Sequence, residues 1–249
     1  MYKRQATRQA SADGARIAFA EALIGNFDWC LKFTPDDTYR CDATKPLWNV
    51  LAFERGGGAT LMMKDLDLAG VVAGRHGWFD TVWNRAFATS GRPAEIEVLS
   101  QVQRTRALFP RDTLDAVRRR FTERHDAVLA AIQQAQVDPA GRDVARAYAD
   151  SFFSAIADDR SFYRPVVARG DVRIFADADG TKDACGAGDL MRPGTPVNEV
   201  QKSGTMTQVI VLDAHWRWAS KNECDAVQTR PVWIPSDAIT TDFPPKTRQ

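Results

Sequence analysis

The chain has 249 residues, 44% apolar and 26% charged, the proportions of an ordinary folded protein and not of a disordered one. Lys and Arg number 33 against 32 Asp and Glu, and the balance holds on both sides of Arg160, which argues against a nucleic-acid module working mainly by counterion release. No apolar run approaches the roughly 18 residues a membrane-spanning helix needs, so no membrane span is expected.

Met1-Tyr2-Lys3-Arg4-Gln5 resemble the translated end of a transposon adapter. The native N-terminus is therefore expected upstream, and a leader ahead of Ala6 is left open.

From Ser11 to Phe33, Ala15, Ala18, Phe19, Ala22, Leu23, Phe27, Cys30 and Leu31 recur at helical spacing, with Glu21 and Asp28 off the stripe. Ser11 and Asp13 suit its N-terminal cap. Pro46 to Glu54 reads as a short helix stopped by Gly56-Gly57-Gly58, and Leu61 to Val72 as a buried helix. Phe79 to Phe87 and Glu95 to Leu108 continue the helical pattern. Asp112 to Gln136 is expected to be the longest helix, and Val144, Ala145, Tyr148, Phe152 and Ile156 mark the last.

Near Asp158-Asp159-Arg160 the period changes. Val166, Val167, Val172, Ile174, Val197, Val200, Val209, Val211 and Ile234 fall in short β-rich segments punctuated by Gly, Pro and Asp. Gln208–Leu212 and Trp216–Ala219 read as a hairpin. The expected fold is α+β: an all-α part over residues 6–160, then a small barrel over residues 166–243.

Four segments in that last part, Asp171-Val172-Arg173-Ile174, Pro193-Gly194-Thr195-Pro196-Val197-Asn198-Glu199-Val200, His215-Trp216-Arg217-Trp218 and Val232-Trp233-Ile234-Pro235-Ser236-Asp237-Ala238-Ile239, resemble in order the strands of a bacterial SH3-like domain. The chain departs from that pattern in its longer Ser220–Pro231 stretch, its extended Asp177–Asp189 loop and Val232 in place of a glycine. The resemblance implies a β-barrel that binds cell-wall peptides or other envelope proteins. Trp216 and Trp218, two apart on a strand, point to one face, where they form either a ligand platform or barrel core.

Cys30 with Cys41, and Cys185 with Cys224, form one close pair in each part. Neither has CxxC spacing and no His completes a zinc site, so no metal is expected. The pairing predicts two local disulfides and an oxidising compartment, periplasmic or secreted; buried free thiols are the alternative.

Sites for chemistry are few. Glu54, before the glycine run, is the candidate general acid of a glycan hydrolase, with Asp65 or Asp67 as second carboxylate; a surface Glu before a helix stop is the plainer reading. His125 shares a stripe with Phe121 and Val128, His76 lies in a loop and His215 in a turn, and none belongs to an HExxH pattern. The arginines at 104, 106, 111, 118, 119, 120 and 124 form either an anion-contacting patch or a solvated face laced with ion pairs. Gly56-Gly57-Gly58 leads to no Lys-Ser/Thr pair, no GxSxG elbow occurs, and no cofactor is expected. The sequence thus favours a non-enzymatic, exported envelope protein with an SH3-like binding module, the alternative being a peptidoglycan-degrading glycan hydrolase with that module as its targeting unit.

Overall fold

A computed structural model describes residues 8–26, 29–31, 47–55, 58–67, 69–73, 93–168, 172–184, 190–191, 193–212, 227 and 230–242. Helices and small antiparallel sheets are mixed along the chain, an α+β fold. The order is α1 (Arg8–Leu23), β1 (Cys30–Leu31), β2 (Leu47–Trp48), β3 (Val50–Arg55), β4 (Gly58–Met63), α2 (Gly70–Ala73), α3 (Pro93–Leu108), α4 (Arg111–Thr122), α5 (His125–Gln134), α6 (Pro139–Ile156) and α7 (Asp159–Phe162). Then come β5 (Val166–Val167), β6 (Val172–Arg173), β7 (Leu190–Met191), β8 (Val197–Ser203), β9 (Met206–Val211), β10 (Val232–Pro235), a 3-10 turn (Ser236–Ala238) and β11 (Ile239–Thr240).

The first part is not all-α. Where helices are predicted over Pro46–Glu54 and from Leu61, β3 and β4 form an antiparallel hairpin in register from Val50↔Met63 to Arg55↔Gly58. Val50, Leu61 and Met63 join the core, whereas Leu51, Phe53 and Met62 stay exposed. That is a period of two; with apolar residues on both faces it reads in sequence as a helix buried all round. Of the glycines expected to stop a helix, Gly56 and Gly57 lie outside the described residues and Gly58 opens β4.

Helix α1 is shorter than predicted and starts earlier. Ser11 and Asp13 lie inside it, and Asp13 pairs with Arg16. It stops at Leu23 because Gly25 takes φ +66°, open to glycine at little cost, and a Cβ there would collide with the Tyr148 ring. Cys30 and Leu31 form β1 instead of a last helical turn. The long helix expected from Asp112 to Gln136 is two, α4 and α5, broken without Gly or Pro where Arg124 N–H bonds Phe121 O at 2.9 Å. Helices α3 and α6 occur as predicted; α6 begins at Pro139, with Asp138 accepting from Gly141 N–H at 2.9 Å. The Phe79–Phe87 segment lies outside the described residues.

In the last part, β8, β9 and β10 make a three-stranded antiparallel sheet, and β9 turns back on β8 through Gly204-Thr205. The partner predicted for Gln208–Leu212, Trp216–Ala219, lies outside the described residues; within them the pairings of β9 are with β8 and β10. Two short pairs, β11–β5 and β6–β7, are linked to this sheet by bridges Val166↔Pro196 and Phe175↔Trp233. Pairing thus runs β11–β5–β8–β9–β10–β6–β7, and no closed barrel is traced among the described residues.

Buried apolar residues fall into two main clusters. One, from Ala15 to Phe162, joins α1, α3, α4, α6 and the hairpin. The other, from Val167 to Ala238, is nearly all Val, Ile, Ala and Met.

Candidate functional site

Glu54 lies within β3, in register with Ala59, and so loses the helix-end setting that made it a candidate. Asp65 (φ +61°) and Asp67 follow β4 and are exposed. Trp216, Trp218, His76, His215, Cys41, Cys185 and Cys224 lie outside the described residues, and Cys30 is described by its backbone alone, so each proposed disulfide has a member outside them.

The carboxyl that does end a helix is Glu21, in the last turn of α1 and fully buried. Asn26 Nδ2 donates to its Oε2 at 2.8 Å, Asn26 N–H to its backbone oxygen at 2.9 Å, and Gln101 Nε2 from α3 to Asn26 O at 2.7 Å. Among the described residues Glu21 Oε1 has no hydrogen-bond partner. Burial raises the carboxyl from 4.5 to about 7, against a smaller lowering by the Asn26 bond, so it holds a proton close to neutrality. The sequence places Glu21 off the apolar stripe and hence outside; Gly25-Asn26 just after it was the overlooked signal of a helix end.

One position earlier, Ala20 lines an open cavity of about 480 Å³ between α1 and β4. Its wall is largely apolar, with Ile17, Leu61, Met63 and Phe121, and the Asp13–Arg16 ion pair also lines it. Glu21 is not among the lining residues.

The remaining candidates have structural partners. His125 is partly exposed, its Nδ1 2.7 Å from Asp126 Oδ1 and its ring edge-on to Phe153 at 4.6 Å. Arg118 and Arg111 both bond Asp159, with Arg111 Nη2 at 3.2 Å, and Asp115 lies 3.7 Å from each. The Arg118 bond foremost holds the Asp159 carboxyl below its usual range. Tyr163 Oη donates to Asp115 Oδ1 at 2.6 Å beneath Arg111, which stacks 4.2 Å from the ring centroid. Burial, then Asp115, pushes that phenol well above its ordinary range. Within the arginine cluster, then, Arg111 and Arg118 belong to ion pairs at a junction.

Against this geometry, no protein-family model, curated protein or solved structure gives a significant match to the chain. Among the described residues no helix is long and apolar enough to cross a membrane, and no group of three or more His, Cys, Asp or Glu is placed to hold a metal.

Proposed function

We propose that this is an exported bacterial cell-envelope protein in which a helix-rich part is joined to an SH3-like binding module, and that it acts by binding. The observation that carries the reading is the return of β11: after three antiparallel strands and a one-turn 3-10 helix, the chain pairs back onto β5, Ile239 opposite Val167. A small sheet whose last strand returns to its first is what an SH3-like barrel requires. The fitting ligand is a cell-wall peptide or an envelope protein. Cosedimentation of the full chain with purified peptidoglycan tests it. Binding should be retained by wild type and weakened at least about tenfold by Trp216→Ala with Trp218→Ala, the loss of aromatic contact area. No cosedimentation, or binding indifferent to both tryptophans, counts against it. Four free thiols in the denatured, unreduced protein would remove the case for an oxidising compartment.

A glycan hydrolase is the second reading, and Glu21 is the observation that favours it, since a buried helix-end carboxyl with one oxygen unpartnered among the described residues, pushed up by burial to about 7, has the character of a general acid. Its burial means that substrate reaches it only if the groups covering it move. Clearing on a peptidoglycan zymogram, abolished by Glu21→Gln and not by Glu54→Gln, supports this reading; absence of clearing rejects it.

A further inference from the structure

We infer that Gln103 and Arg106 of α3 form a clamp on both chain ends of the β-rich part, so that the module is locked to the helices and opens together with them. Gln103 Nε2 donates to Phe162 O at 2.7 Å. Arg106, nearly buried, donates from Nη1 to Gln103 Oε1 at 2.8 Å and to Arg164 O at 2.5 Å, and from Nη2 to Thr241 O at 2.5 Å. One guanidinium therefore holds the strand that begins the module and the strand that ends it.

The clamp acts where the sheet itself gives out. Ala168 N–H donates to Ala238 O at 2.7 Å, and bonded pairs alternate along an antiparallel ladder, so the next are Val166–Thr240 and then Arg164–Asp242. That last pair is diverted: Asp242 N–H bonds Thr240 Oγ1 at 3.0 Å, and Arg164 O takes Arg106. A two-residue pairing such as β5–β11 has little stability of its own. Charge-assisted bonds from a pre-organised fork suit this position better than a lysine would.

The segment between α6 and β5 is bonded almost residue by residue and does not resemble a linker. Asp158 Oδ1 accepts Ser161 N–H at 2.7 Å, Asp159 meets Arg111 and Arg118, Phe162 is fully buried, and Tyr163 bonds Asp115. Domains joined loosely move independently by default, and this junction removes that freedom.

Native-state amide exchange on the full chain tests the clamp. In wild type the slowest amides of the helix-rich part (Leu114, Phe152) and of the sheet (Val209, Ile234) should exchange through one shared opening, with equal protection. In Arg106→Gln, and to a lesser degree in Arg106→Lys, the shared opening should split, with the sheet amides exchanging about tenfold faster or more than those of Leu114 and Phe152. Sheet amides opening independently in wild type would overturn the inference. So would Arg106→Lys lowering both sets equally. If Arg106→Gln does not fold, the wild-type comparison and Arg106→Lys still decide.

Discussion

The two cores of this protein are built from different material. In the helix-rich part, Phe19 lies 5.5 Å from Phe121, 6.0 Å from Phe152 and 5.7 Å from Phe162, centroid to centroid, and Phe152 also meets Phe121 and Phe153 edge-on. Among the described residues of the β-rich part the main buried cluster includes Val167, Val172, Ile174, Val197, Val209, Val211, Val232 and Ile234, and no aromatic belongs to it. The sheet's own aromatics, Phe175 and Trp233, sit in a satellite cluster with Met206. Removing one ring from the first core should therefore cost more than trimming one methylene from the second.

The sharpest test is Phe152→Ala. Phe152 is fully buried, and its loss opens a cavity beside the rings of Phe19, Phe121 and Phe153, which cannot all close on it, a destabilisation of about 3–5 kcal/mol. Urea denaturation measures it, and a loss below about 1 kcal/mol would show that the ring cluster collapses freely, breaking the contrast.

Next in size is Glu21, the polar fault in the aromatic core. The folded state keeps its proton up to about 7, whereas the unfolded chain releases it near 4.5. The folded form therefore binds more protons between these values, so this contribution is complete below about 4.5 and is lost as pH rises through about 7. Glu21→Gln should match wild type near the lower value and exceed it by about 3 kcal/mol at alkaline pH. Parallel stability curves for the two proteins would mean that the carboxyl is solvated after all.

How much of this was legible in sequence follows the same division. The helix α3 was readable from its proline start, and α6 from the stripe of Val144, Ala145, Tyr148, Phe152 and Ile156. The short strands after residue 160 were readable in part, since Val166, Val167 and Val172 fall in branched runs bounded by turn residues, but the switch is not the first in the chain, because β3 and β4 already alternate. The hairpin β3–β4 was not readable, because Val50–Phe53 and Leu61–Met63 are apolar at every position, and only tertiary packing decides which face goes in. Glu21 was missed because a carboxylate is taken for a surface residue until its partner, Asn26, is seen to be buried as well. The clamp was illegible in principle: Arg106 meets Arg164 and Thr241 through backbone carbonyls, which carry no sequence signal.

The smallest effect belongs to the aliphatic core. Ile234 in β10 is fully buried and opposite Thr207, and Ile234→Val removes one methylene for about 1 kcal/mol, roughly a fifth to a third of the cost expected at Phe152. A cost equal to that of Phe152→Ala would erase the distinction between the cores. Because the effect is small and confined to the sheet, it also reports on the clamp. If the sheet opens only when the helices do, the loss is shared, and the slow amides of Leu114 and Phe152 should exchange roughly fivefold faster along with those of Val209. If the sheet opens alone, the helix amides should not change at all, and a single methylene would have separated the two parts more cleanly than cutting between them.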